Sequence, residues 1–158
     1  MGKEMFVKLK EVEGFYHRPD WYRPLAYGEN IYMDTTYLLP GVELVMGSQK
    51  YLEGTERLER VIYTMTGTIE VTHAGETVVV SPHTAFVVPL VPASPFVVKN
   101  NGSEVASYLV CYSPPPHPEL KIKRREEMLA RYKANNRAVR TPEEMEQLIA
   151  NPTGSMKE

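Results

Sequence analysis

The segment from Glu53 to Arg60 concentrates side chains that could do chemistry. It reads Glu53-Gly54-Thr55-Glu56-Arg57-Leu58-Glu59-Arg60. An arginine can hold a carboxylate or an enolate through two parallel N–H donors, while a nearby glutamate moves a proton. Glu53, Glu56 and Arg60 are therefore our candidate catalytic residues, with Arg60 also a candidate substrate-binding residue. Charge-rich runs usually lie in solvent, so an exposed Arg60 stays an open alternative.

Tyrosines are the second group of interest, and the chain has ten of them. A phenol packs against apolar groups and donates or accepts one hydrogen bond, which suits an aromatic or polyketide-like organic acid. The alternative is that tyrosine is simply a good strand former and that half of these side chains face solvent. The candidate substrate-binding tyrosines lie in or beside predicted strands: Tyr32, Tyr51, Tyr63, Tyr108 and Tyr112.

From residue 26 to 113 the sequence alternates short β-prone runs with turn signals at Pro40-Gly41, Ala74-Gly75 and Asn101-Gly102. This alternation is typical of an antiparallel sandwich or barrel. Residues 69–80 predict one tight hairpin. The predicted strands are Asn30–Leu39, Val42–Met46, Arg60–Met65, Thr68–Thr72, Thr77–Val80, Ala85–Val88, Phe96–Lys99 and Val105–Tyr112.

The regions on either side of this barrel have different patterns. Residues 1–25 predict a mixed N-terminal arm with one strand candidate at Met5–Leu9. Residues 115–158 predict a C-terminal helical extension, with a helix over Glu119–Asn135. A second, short helix is expected to begin after an N-cap at Thr141 and to run to about residue 150. The arm, a barrel over 26–114 and the extension together form one domain of 158 residues.

Composition excludes several classes of function. The formal net charge is −2, and one small basic cluster at residues 121–125 is too small for a nucleic-acid partner. The single cysteine, Cys111, excludes an internal disulfide and fits a reducing compartment. No apolar run approaches the roughly 20 residues that span a bilayer, and the N-terminus lacks a signal-peptide pattern. We therefore expect a cytoplasmic protein with no membrane partner.

Two glycine-framed segments resemble the two motifs of the cupin superfamily of small barrels. The first is Gly47-x5-Glu53-x-Thr55-x4-Arg60-x6-Gly67, and the second runs from His83 through Pro89 and Val91 to Ser94. The resemblance covers residues 35–113 and implies an all-β fold, a double-stranded β-helix or jelly-roll barrel. It also implies that Arg60 points into the barrel.

In the cupin consensus, three histidines and one glutamate hold a metal. The corresponding residues here are Glu53, Thr55, Arg60 and Ser94, and Ser94 joins the candidate substrate-binding residues. A permanent cation beside a divalent metal is unfavourable, so we expect no metal and no cofactor. None of the four histidines occupies an inward position of the motifs, and we interpret them as surface or packing residues: His17, His73, His83 and His117.

Three functions follow from this resemblance, and the residues leave all three open. The first is a metal-independent isomerase, lyase or cyclase acting on a small organic acid held by Arg60; some sugar epimerases of this fold resemble that plan. The second is a non-catalytic cupin that binds or senses such an acid. The third is a metal-dependent enzyme with an oxygen-rich site around Glu53 and Glu56. An internal ion pair between Arg60 and Glu53 that merely fills the barrel is the structural alternative.

A homodimer is the expected assembly. The segment Phe6–Leu9 could add a strand to a partner's sheet, with Trp21 and Tyr22 buried in the interface.

Overall fold

The computed structural model describes residues 6–46, 59–88, 95–116, 121–135 and 138–152. A short 3-10 helix, Leu9–Glu11, precedes the strands. The strands and helices of these ranges are β1 (Gly14–Tyr16), β2 (Trp21–Tyr27), β3 (Tyr32–Leu38), β4 (Glu43–Met46), β5 (Glu59–Thr66), β6 (Ile69–His73), β7 (Glu76–Val80), β8 (Ala85–Val88), β9 (Phe96–Lys99), β10 (Ala106–Ser113), α1 (Arg125–Asn135), β11 (Val139–Arg140) and α2 (Pro142–Ala150).

The strands form two antiparallel sheets with a shared apolar core. The larger sheet has seven strands in the order β11-β1-β2-β3-β10-β5-β8, and the smaller has four in the order β4-β9-β6-β7. Buried side chains from both sheets belong to one cluster, among them Ile62 and Val110 from the larger sheet and Val71 and Val98 from the smaller. The predicted all-β jelly-roll barrel with C-terminal helices is therefore confirmed.

The strands predicted between residues 30 and 112 are all present, with ends that differ by a residue or two. The predicted hairpin is β6–β7, in which His73 pairs with Glu76 across a two-residue turn. Both turn residues have positive φ, 51° at Ala74 and 83° at Gly75, as the favoured hairpin turn requires.

The N-terminal region is the main correction to the prediction. Residues 6–8 have no regular structure and Leu9 begins the 3-10 helix, so the predicted strand Met5–Leu9 is wrong over the residues that the structure describes. Two strands further along this region, β1 and β2, extend the larger sheet instead. The sequence pattern of β2 is atypical of a strand, because it contains Pro24 next to a shift in its pairing with β3.

Trp21 and Tyr22 are buried within the chain, at 3% and 7% exposure. Neither side chain is available for a subunit interface, so that role was wrongly predicted, and the homodimer stays a prediction without their support. The division of the chain at residues 25 and 114 also stays a prediction.

The two helices cover opposite faces of the larger sheet. Helix α1 begins at Arg125 rather than at the predicted Glu119, and its Tyr132 ring packs on Phe15 and Tyr22, with ring centroids 5.8 and 5.4 Å apart. Helix α2 begins where predicted, with a reciprocal capping box between Thr141 and Glu144. Within the described ranges, neither helix is long and apolar enough to cross a membrane.

Helix α2 is held to the sheet by a buried arginine. Arg23 is 1% exposed, and its Nη1 donates to Glu146 Oε1 at 2.8 Å while Nη2 donates to the Pro142 carbonyl at 3.2 Å. Its guanidinium also lies 5.6 Å from the centre of the Tyr37 ring. Because α2 packs against one face of the sheet through Met145, strand β3 is buried on both of its faces.

Replacing Glu146 with Gln should destabilise the protein by about 1 to 2 kcal/mol, because a buried guanidinium loses its negative partner. The exposed Glu143→Gln, in the same helix, is the matched control and should cost about 0.5 kcal/mol. Urea unfolding measures both, and equal effects would contradict the anchoring role of Arg23.

Two glycine substitutions should separate backbone strain from crowding. Gly67 has φ +71° and a Cβ there would lie 2.9 Å from the Ala106 Cα, whereas Gly75 has φ +83° and open space around it. Gly75→Ala should therefore cost about 1 kcal/mol, and Gly67→Ala roughly 2 kcal/mol or more. Thermal or urea unfolding of the two variants tests this, and a smaller cost at Gly67 would contradict the described packing.

Candidate functional site

The register of three neighbouring strands arranges their inward side chains in rows. The first row consists of Tyr32, Tyr112 and Arg60, which lie directly opposite one another on β3, β10 and β5. The second row is Asp34, Val110 and Ile62, and the third is Thr36, Tyr108 and Thr64. Ile62, Val110 and Tyr108 belong to the barrel core, so all three rows face the interior.

Arg60 points into the barrel. It alternates along β5 with exposed residues and shares its face with Ile62 and Thr64, which are 0% and 2% exposed. Its guanidinium carbon lies 5.4 Å from the centre of the Tyr112 ring. Its Nε is buried and has no hydrogen-bond partner among the described residues. Arg60 is therefore half-buried on the interior face of β5, and its Nε is the atom without a partner among the described residues.

The inward tyrosines are fully or largely buried. Tyr32 and Tyr108 are 1% and 0% exposed, and the hydroxyl of Tyr32 lies beside Asp34 while that of Tyr108 lies beside Thr36. The Tyr112 ring packs on Tyr32, with centroids 5.5 Å apart. Burial raises the pKa of all three phenols, so they stay protonated and can donate hydrogen bonds.

Asp34 is the strongest acid–base candidate in the interior, and the sequence did not single it out. It is 6% exposed and accepts a hydrogen bond from Thr36 Oγ1 at 3.3 Å. Burial raises the pKa of Asp34 to about 7, and the negative charge of Asp20 adds to this rise, while the Tyr32 and Thr36 hydroxyls and His17 oppose it. A carboxyl with this pKa can both give and take a proton at neutral pH.

The second buried carboxylate near this site is Asp20. The chain has just two aspartates, and Asp20, at 5% exposure, is as buried as Asp34. His17 Nδ1 lies 3.5 Å from Asp20 Oδ1, and this contact raises the pKa of His17. The side chain of His17 is 60% exposed, so the pair reaches from the surface toward Asp34.

Tyr63 is a correction, because it lies on the outer face of β5. It is 40% exposed, and its hydroxyl is 3.3 Å from His83 Nδ1. Residues 60 and 63 are an odd number apart, so their side chains point to opposite faces of the strand. Tyr63 therefore cannot bind a ligand in the barrel, and His83 lies at the surface as predicted.

His73 packs in the interior, as one of the two roles expected for the histidines allows. It shares the inward face of β6 with Ile69 and Val71, and its ring stacks on Phe96 with centroids 4.0 Å apart and an interplanar angle of 22°. Its Nδ1 is buried with no hydrogen-bond partner among the described residues. The hairpin turn consists of residues 74 and 75 alone, so His73 remains in the strand.

The remaining predicted site residues lie outside the described residues. They are Tyr51, Glu53, Glu56 and Ser94, and their roles stay predictions. An ion pair between Glu53 and Arg60 stays untested for the same reason.

The donor set does not fit the metal of the consensus. Arg60 occupies one of the four ligand positions with an inward cation, and Thr55 and Ser94 are poor ligands for a transition metal. Among the described residues, no three His, Cys, Asp or Glu side chains come together as a metal site.

The titration of Asp34 should appear in the stability of the protein. Because its folded pKa is about 7 and its ordinary value is 3.8, the folded state binds the proton more tightly, and stability falls as pH rises between these values. Asp34→Asn should therefore gain stability relative to the natural protein as the pH rises from 5 to 8, by roughly 2 to 3 kcal/mol. Urea unfolding at both pH values checks this, and parallel pH profiles would contradict the buried titration.

Comparison with solved structures identifies the fold. Similar structures include KdgF from a Halomonas species, with 17% identity, a TM-score of 0.58 and coverage of 75% of this chain and 99% of that one. An RmlC-like cupin from Shewanella frigidimarina has 17% identity, a TM-score of 0.58 and coverage of 74% and 96%. A predicted oxalate decarboxylase from Thermotoga maritima has 14% identity, a TM-score of 0.55 and coverage of 70% and 100%.

No family model matches the sequence, and no curated protein matches it. Identities this low concern the fold rather than the activity. The jelly-roll topology of the chain is similar to that of these solved structures, and the likeness concerns the fold.

Proposed function

We propose that this protein binds a small organic acid inside the barrel and catalyses a metal-independent proton transfer on it, of the isomerase, lyase or cyclase kind. The observation that carries this proposal is the inward Arg60, whose buried Nε lacks a partner among the described residues, in the same interior as Asp34.

Arg60 supplies the anion-binding group. A buried donor without a partner is unfavourable, and a ligand carboxylate would satisfy it. The Tyr112 ring beneath the guanidinium restrains its plane, and a restrained guanidinium can hold a carboxylate through two parallel hydrogen bonds.

Asp34 supplies the proton-transfer group. It lies one row deeper than Arg60 and two strands away, a lateral Cα separation of about 10 Å from ordinary strand spacing. A keto acid bound at Arg60 by its carboxylate would extend the carbon next to its keto group toward Asp34. The carboxylate form of Asp34 takes the proton from that carbon, and the buried phenols Tyr32 and Tyr112 donate hydrogen bonds to the enolate oxygen that develops. The predicted roles of Glu53 and Glu56 can add to this scheme but are not needed for it.

Loss of Arg60 should weaken carboxylate binding. Arg60→Met should lower the affinity for benzoate at pH 7 at least tenfold, since a charge-assisted hydrogen bond is lost. The exposed Arg124→Met is the control with the same change in charge and should bind as the natural protein does. Isothermal titration calorimetry measures all three, and equal affinity in Arg60→Met would contradict the proposal.

Catalysis can be separated from binding by hydrogen exchange. Proton NMR in D2O should show that the protein accelerates exchange of the methyl hydrogens of pyruvate, and Asp34→Asn should slow this at least 100-fold, as expected for a general base. Equal rates in the two proteins would contradict the role of Asp34. Binding through Arg60 without accelerated exchange would instead support the non-catalytic alternative.

Elemental analysis of protein purified without chelator tests the metal-independent part of the proposal. We expect transition-metal content far below one ion per chain. A near-stoichiometric metal would overturn this part and direct attention to an oxygen-rich site at Glu53 and Glu56.

A further inference from the structure

We infer that the acid bound in this barrel is planar and carries a hydroxyl group opposite its carboxylate, and that His73 and Phe96 form the surface that recognises both features. This inference rests on the proposed binding of a carboxylate by Arg60.

The first step concerns position. Val88 pairs with Arg60 at the end of β8, and the chain returns at Phe96, the first residue of β9, after residues 89–95. Phe96 therefore lies at the same end of the barrel as the first row, but on the facing sheet. Phe96 and Tyr112 both pack against the same core cluster. A ligand held by Arg60 at this end has the stacked pair of His73 and Phe96 on its other side.

The second step concerns shape. Aromatic side chains line this end of the interior from both sheets, with Tyr32 and Tyr112 on one side and the stacked pair on the other. Aromatic surfaces pack most favourably against flat, unsaturated groups. A planar ring is therefore preferred over a saturated ring of similar size.

The third step concerns the polar group. His73 Nδ1 is buried and has no hydrogen-bond partner among the described residues, and its ring is oriented by the stack on Phe96. A hydroxyl both donates and accepts, so it can pair with this nitrogen in either tautomer of the imidazole. Because His73 and Arg60 lie on facing sheets, the hydroxyl and the carboxylate belong at opposite ends of the ring.

The test compares three probes in isothermal titrations at pH 7.5: 4-hydroxybenzoate, benzoate and cyclohexanecarboxylate. We expect 4-hydroxybenzoate to bind about tenfold more tightly than benzoate, as one good hydrogen bond provides. Benzoate should bind three- to tenfold more tightly than cyclohexanecarboxylate, as aromatic packing provides.

His73→Phe keeps an aromatic ring against Phe96 and should reduce the ratio of 4-hydroxybenzoate affinity to benzoate affinity from about ten to about one. His83→Asn, which removes an imidazole from the outer surface, is the matched control and should keep all three affinities. Circular dichroism and thermal melting establish that the variants fold. If His73→Phe does not fold, the natural protein's ranking of the three probes still tests planarity and the hydroxyl.

The outcomes separate this inference from the proposed function. Equal binding of benzoate and cyclohexanecarboxylate would overturn planarity, and a hydroxyl preference that survives in His73→Phe would overturn the role of His73. Both results leave carboxylate binding by Arg60 intact. Failure of all three probes to bind, or binding that is unchanged in Arg60→Met, would overturn the proposed function itself.

Discussion

The burial of β3 on both faces is the constraint on which the site depends. On one face, Arg23 and Glu146 hold helix α2 over the sheet. On the other, Asp34 lies between barrel side chains and has little contact with water. Because Asp34 is 6% exposed, its charged form is disfavoured.

Arg23 and Arg60 lie on opposite faces of the larger sheet, Arg23 on the outer face and Arg60 on the inner face. The terminal nitrogens of Arg23 donate to a carboxylate and a backbone carbonyl, while its Nε, like that of Arg60, is buried without a partner among the described residues. Arg60 has an aromatic ring beside it and a buried Nε without a described partner. His73 on the facing sheet adds a further buried polar atom without a described partner. Trp21 Nε1, on the outer face of the larger sheet, is another, so the argument for a site at Arg60 rests on the inward position of its charge and on the Tyr112 ring beside it.

The sequence predicted the barrel strands and helix α2 because their signals are local. Alternation of β-prone residues defines the strands, and Thr141 with Glu144 defines a helix start that needs no tertiary contact. The face of the sheet to which a side chain points is harder to predict than the strand itself. It depends on counting residues within a strand whose ends are uncertain. Counting from Arg60 would have excluded Tyr63, and counting from Ile69 would have included His73. The burial of Asp34 follows from the strands that flank it, β2 and β10, so no local pattern could reveal it.

The value of about 7 for Asp34 has a consequence for the resting protein. Near neutral pH the molecule is a mixture of two charge states in comparable amounts, identical in fold and different by one buried proton. An anionic ligand would favour the protonated state, so its arrival would draw protons from the buffer. Part of any measured binding heat would then belong to the buffer rather than to the contacts in the barrel.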